Sequence, residues 1–138
     1  MLKEFEIMEH TADVGIVAYG ASIDEAFANA GRALFSLITD LEDINEREYR
    51  DIELTAPGQD SLLVAWLNEL IYLFDAEGML FNRFDITELS PACLKARAYG
   101  EVADTSRHRL KTGVKGATYH MLDVDSSNGI RVRVLFDI

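Results

Sequence analysis

The sequence predicts an α+β domain, a two-layer sandwich in which two helices cover a largely antiparallel or mixed sheet. Three observations carry this expectation. One amphipathic segment opens with a helix-capping pattern, a second is apolar nearly all round, and seven or so strand-length runs end in a pair that flanks a turn signal. At 138 residues the chain fits a single domain, 1–138, long enough to bury a core without disulfides or a structural metal.

Residues 3–8 and 14–19 alternate or run apolar over strand lengths and are separated by the tetrapeptide His10-Thr11-Ala12-Asp13. Ser22, three residues before Glu25, makes a capping box for a helix that places Ile23, Ala26, Phe27, Ala30, Leu34, Leu37 and Ile38 on one face. Gly31 inside that helix costs roughly 1 kcal/mol relative to Ala, which points to close packing against a neighbour. Ile52, Leu54 and Ala56 then alternate as a strand, Pro57-Gly58 turns the chain, and Asp60 is the expected N-cap of a second helix that stops at Gly78. Apolar residues surround that helix, so it should be the central buried one. Strands are expected over 79–89, 92–103, 114–124 and 130–137, with the Ser126–Gly129 turn joining the last two as a hairpin. On the final strand Ile130, Val132, Val134 and Phe136 share the core face. Residues 39–48 and 104–113 read as exposed loops.

Composition narrows the function. Hydrophobic residues at 49% and charged residues at 27% describe an ordinary globular domain rather than a disordered chain. No run approaches the ~18 apolar residues of a membrane span, and the N-terminus lacks the apolar stretch of a signal peptide. The single Cys93 cannot form an internal bridge. A cytoplasmic protein with no membrane partner is the expectation. The net charge of −11 makes nucleic acid a poor direct partner, since binding it draws on clustered Lys and Arg. The acidity is uneven: residues 1–94 carry 19 acidic and 5 basic side chains, whereas 95–138 carry 5 and 8. Such an acidic part can be steered toward a basic partner or can hold a cation, or it can simply be a solvated surface.

The chemistry-bearing residues cluster at two places. The His10–Asp13 loop supplies an imidazole, a hydroxyl and a carboxylate where a turn needs only tolerant backbone, although a lone Asp in such a loop is often just a turn former. At the other end, Asp137 is flanked by Leu135, Phe136 and Ile138, and Ile138 carries the terminal carboxylate. If the final strand runs beside the strand leading into the His10–Asp13 loop, then Asp13, Asp137 and the Ile138 carboxylate converge into an oxygen cluster suited to a hard divalent cation. The alternative is that Asp137 caps an edge and Ile138 plugs the core. Asn68 and Glu69 interrupt the apolar second helix and either hydrogen-bond to loop backbone or, for Glu69, approach the cation. Tyr119 and His120 are expected to pack and hydrogen-bond, with His120 a neighbour of the site if it points toward the loop; His108, between Arg107 and Arg109, is expected to be solvated. The Thr112–His120 stretch lacks P-loop spacing, and no Ser-His-Asp order, Cys-His pair or zinc motif is present.

Four separated blocks, His10–Ile16 "HTADVGI", Trp66–Leu70 "WLNEL", Val114–His120 "VKGATYH" and Phe136–Ile138 "FDI", resemble the archease family in order and along essentially the whole chain. The resemblance implies an archease-like fold and a non-enzymatic protein that activates the RtcB-type RNA ligase of tRNA splicing by promoting its guanylylation and turnover. It also implies a bound divalent cation, calcium first, with manganese or magnesium as alternatives. The metal ligands it implies are Asp13, Asp137 and the Ile138 carboxylate, with His10, Glu69 and His120 as candidates for a surrounding shell. Gly116 and Ala117 stand where the family more often has Ala and Val, which predicts looser packing of that strand. Two other readings remain in play at this point: a free-standing metal-dependent phosphohydrolase using the same carboxylates, and a chaperone-like binding module with no metal dependence.

Overall fold

The computed structural model describes residues 3–9 and 13–138, so His10, one of the expected site residues, lies outside the described part. Within it the chain forms β1 (Phe5–Glu9), β2 (Asp13–Gly20), α1 (Ile23–Ile38), β3 (Glu48–Thr55), α2 (Gln59–Glu77), β4 (Met79–Ser90), β5 (Cys93–Val102), β6 (Gly116–Asp125) and β7 (Ile130–Asp137). The α+β class and the antiparallel pairing are as expected. The strands divide between two sheets, ordered β1-β2-β7-β6 and β3-β5-β4.

Both helices touch both sheets, which explains their composition. Helix α1 packs on β2 and β7 of the first sheet and on β4 of the second; α2 packs on β6 of the first and on β3, β4 and β5 of the second. A helix with apolar neighbours on several sides needs apolar residues on several sides, and α2 accordingly buries Leu62, Val64, Trp66, Leu67, Leu70 and Ile71 among others. The Trp66 indole donates to the Phe27 carbonyl at 2.9 Å, so the largest buried side chain keeps its N–H satisfied while bridging the helices. Phe84 of β4 stacks edge-on against Trp66 at 5.5 Å.

Gly31 meets that same ring. A Cβ at Gly31 would lie 2.8 Å from Cε2 of Phe84, closer than carbon atoms approach, so the glycine is required by helix–strand contact. The cap forms on the Ser22 side, where Ser22 Oγ accepts from Glu25 N–H at 3.2 Å, while the return bond shifts by one residue, Glu25 Oε1 accepting from Ala21 N–H at 3.0 Å. At α2 the expected cap is corrected by two residues. Gly58 is the N-cap and Asp60 sits inside the first turn, where its charge still favours the positive end of the helix.

Segment 104–113 is the largely exposed loop expected, with His108 its one buried residue. It is stapled to the end of α1 and to the chain after it, because the last carbonyls of a helix need donors. Lys111 N–H donates to Ile38 O at 2.8 Å, and Thr39 Oγ1 donates to Arg109 O at 2.8 Å. His108, expected in solvent, is 1% exposed. Its Nδ1 accepts from Asp104 N–H at 2.9 Å, so Nε2 carries the proton and points to Glu101 Oε2 and Asp43 O, both at 3.0 Å. Glu101 in turn accepts from Arg107 at 2.6 Å and from Asn45 N–H at 2.7 Å. The sequence reading failed here because flanking arginines suggested a solvated run, whereas the acceptor that draws His108 inward lies on β5.

Burial pushes the Glu101 carboxyl up, but hydrogen bonds from Arg107, Asn45 and His108 outweigh it and bring it from 4.5 down to about 2. A carboxylate lowered on folding contributes stability that is complete above its unfolded value and is lost as pH falls through its folded one. Stability should therefore decline between about pH 4.5 and pH 2. In Glu101→Gln this decline should flatten, with a loss of about 2 kcal/mol at neutral pH, as urea unfolding at a series of pH values would show. Gly31→Ala should lower the urea midpoint: overpacking against Phe84 costs roughly 1–3 kcal/mol, more than the ~1 kcal/mol of helix propensity gained.

Candidate functional site

The two acidic residues singled out in the sequence become neighbours through strand pairing. Strand β7 lies beside β2, which follows residues 10–12 in the chain, and not beside β1, which precedes them; this corrects the expected neighbour. The convergence survives because Asp13 is the first residue of β2 and pairs directly with Asp137 in the antiparallel register. Directly opposed residues share a face, and the alternation puts both carboxylates on the outer side, since Val14 and Phe136, the next pair, belong to the core.

The floor beside the pair is apolar. Two residues along, Gly15 pairs with Leu135 and also with Met8, and a Cβ on Gly15 would come within 2.7 Å of Leu135 Cδ2 and 2.9 Å of Met8 Cε. Leu135 is thus 1% exposed although it faces outward. Like charges opposed across a ladder repel. Among the described residues, no side-chain ion pair or hydrogen bond relieves either Asp13 or Asp137.

The chain end is held by its main chain. Asp137 O accepts from Lys115 N–H at 2.8 Å, and Gly116 pairs with Asp137 from the other side of β7. Asn68 of α2 reaches the same place: its Oδ1 accepts from Ala117 N–H at 2.8 Å, the backbone hydrogen bond expected for this interruption of the apolar helix. The oxygen lies 3.5 Å from where a Gly116 Cβ would stand, so the family's more usual Ala would fit there in ordinary contact. Ile138 is 46% exposed, which removes the alternative that it plugs the core.

The remaining candidates are dispersed. Glu69 is half-buried on α2; burial, and secondarily the charge of Glu77, push its carboxyl up. Tyr119 and His120, expected to pack, are exposed on β6. Neither Glu69 nor His120 hydrogen-bonds Asp13 or Asp137. A cavity of about 490 Å³ opens on the outer face of the other sheet between Asp51, Asp85, Lys95 and Arg97, none of them a predicted site residue. Its Arg97 is already paired with Asp51 at 2.8 Å.

An all-oxygen set of opposed carboxylates suits a hard cation, which takes about six to eight oxygens. The described side chains supply only part of that number: no group of three His, Cys, Asp or Glu among the described residues is close enough to hold a metal. The donor chemistry fits, while a complete coordination sphere needs further oxygens.

Comparison with known proteins matches the sequence and the fold to a family. The model of the Archease protein family covers residues 5–138. The chain is 37% identical to the archease of Methanosarcina mazei over 99% of its own length and 97% of that relative. It is 39% identical to that of Pyrococcus abyssi over 90% and 89%. The solution structure of Methanobacterium thermoautotrophicum protein 1598 superposes with a TM-score of 0.85 at 35% identity, covering 99% of this chain and 100% of that one. An archease crystal structure from Thermotoga maritima shares the fold at a TM-score of 0.65 and 20% identity, over 95% and 94%. With the family model spanning all but the first four residues and full-length relatives above one-third identity, this chain belongs to the archease family.

Proposed function

We propose that this protein activates an RtcB-type tRNA-splicing RNA ligase by promoting its guanylylation, without catalytic turnover of its own, and that it binds a divalent cation through Asp13, Asp137 and the Ile138 carboxylate. The observation that carries the reading is the Asp13–Asp137 register: two anionic side chains directly opposed on an outer sheet face, at the positions where the family resemblance implies ligands. A cation bound there supplies the positive charge that offsets their repulsion and can polarise an oxygen of a neighbouring phosphate. The chain's own part is placement. Lys115 N–H holds the Asp137 carbonyl, Asn68 Oδ1 accepts from Ala117 N–H beside it, and the buried Val14 and Phe136 fix the register beneath both carboxylates. A net charge of −11 suits docking on the basic surface of an RNA-binding ligase while disfavouring competition for its RNA.

A free-standing phosphohydrolase would need a general base beside the carboxylates. Of the two side chains that could serve, His10 lies outside the described residues and Glu69 on α2 makes no hydrogen bond to either Asp, so the described residues lend that reading no support.

With ligase, nucleotide and metal held fixed, adding this protein should speed guanylylation. Asp13→Ala and Asp137→Ala should each abolish the stimulation while unfolding as cooperatively as the parent. In cation-free buffer their thermal midpoints should stay level or rise, since removing one of two opposed like charges relieves up to ~1 kcal/mol. Full stimulation by both variants would separate the carboxylates from the function, and metal-dependent product release from nucleotides by the protein alone would favour the enzyme.

A further inference from the structure

Strand β6 contains a bulge that its sheet does not require. Thr118 pairs with Leu135 and Asp123 with Arg133, so four residues, Tyr119 to Leu122, stand where β7 has only Val134. An ordinary bulge inserts one extra residue; this one inserts three. Met121 takes a φ of +57°, the sole positive φ outside glycine among the described residues. That left-handed conformation is unfavourable for a side chain with a Cβ and persists where the surroundings hold it.

The bulge is held from below. Leu122 packs against the core, and Arg133 Nε donates to Met121 O at 3.0 Å. The other three side chains turn outward: Tyr119 is 60% exposed, Met121 44%, and His120 is exposed between them. Blunting a sheet edge against aggregation needs a bulge or a charge, not an exposed aromatic and a thioether. An exposed Tyr and Met on a fixed, strained backbone instead resemble the anchors of protein interfaces.

We propose that the Tyr119–Met121 bulge is a docking knob that inserts into an apolar pocket of the ligase, bordering the basic surface that receives the carboxylate end. This rests on the activator reading above. Continuity places the two together: β6 begins at Gly116, the partner of Asp137, and Tyr119 follows three residues later, about 10 Å along the strand. A protein engaging the Asp13–Asp137 end therefore has the knob within the same footprint. An aromatic can also stack on an RNA base, but the opposed Asp13 and Asp137 carboxylates beside the start of the same strand repel phosphate, and the protein pocket is favoured.

The test measures the affinity of the full-length chain for the intact ligase, with manganese or calcium present, for the parent, Tyr119→Ala and Met121→Gly. Tyr119→Ala should weaken binding about tenfold or more, the loss typical of an anchor. Met121→Gly should raise the thermal midpoint, because glycine relieves the left-handed backbone, and yet weaken binding. Both variants should keep the parent's cation affinity by calorimetry. Unchanged ligase affinity in both variants would overturn the knob and leave the activator reading standing. Binding of a single-stranded RNA by the parent that is lost in Tyr119→Ala would overturn it in favour of base stacking. A parent that does not bind the ligase at all would instead remove the activator reading on which the knob depends.

Discussion

The pairing of β2 with β7 is the constraint on which the rest of this structure depends. Its register buries Val14, Ile16, Val134 and Phe136 against α1 and, with the same alternation, sets Asp13 opposite Asp137 on the other face. A strand has a side-chain period of two, so a slip of one residue would turn the apolar set to solvent and carry the carboxylates inward together. Core packing therefore holds apart from water what it must and holds together two charges that would otherwise separate. The repulsion between them is small beside the burial of four large side chains, each worth roughly 1.5–3 kcal/mol. The fold can carry an electrostatically unfavourable pair at its edge without losing its register.

The helices extend this logic to the second sheet. Because α1 and α2 each touch both sheets, the usual distinction between a buried and a solvated helix face is blurred, and the polar exceptions are informative. Asn68 interrupts α2 where β6 begins and gives its carbonyl oxygen to Ala117 N–H, so the central helix and the end of β7 are linked through three consecutive residues, Lys115 to Ala117. Beyond the end of α1 the Glu101–His108–Arg107 cluster fastens segment 104–113, leaving β6 to start from a fixed point.

Legibility in the sequence followed the range of the interactions. Local signals were read correctly: Ser22 with Glu25, the Ser126–Gly129 turn with Gly129 at a φ of +75°, and the burial of α2 all follow from contacts within a few residues or from composition alone. Gly31 was legible as a close contact, but Phe84 as its partner was not, because 53 positions separate them and nothing in the spacing marks the pair. Pairing order was the hardest to see. The alternation on β7 identifies its core face and cannot say whether β1 or β2 lies beside it. The burial of His108 is hidden for the same reason, since Glu101 and Asp43, whose oxygens accept from its Nε2–H, lie on other elements. The β6 bulge had no signal in a run that alternates plausibly as a regular strand.

The central claim is that strand register makes Asp13 and Asp137 one cation-binding unit. Calorimetric titration of calcium or manganese into the parent, Asp13→Ala, Asp137→Ala and the double variant tests this most directly. If the two carboxylates hold the same ion, the parent binds, each single variant loses most of the affinity, and the double variant is little worse than either single one. Losses that simply add, or a parent that binds no cation, would contradict the account.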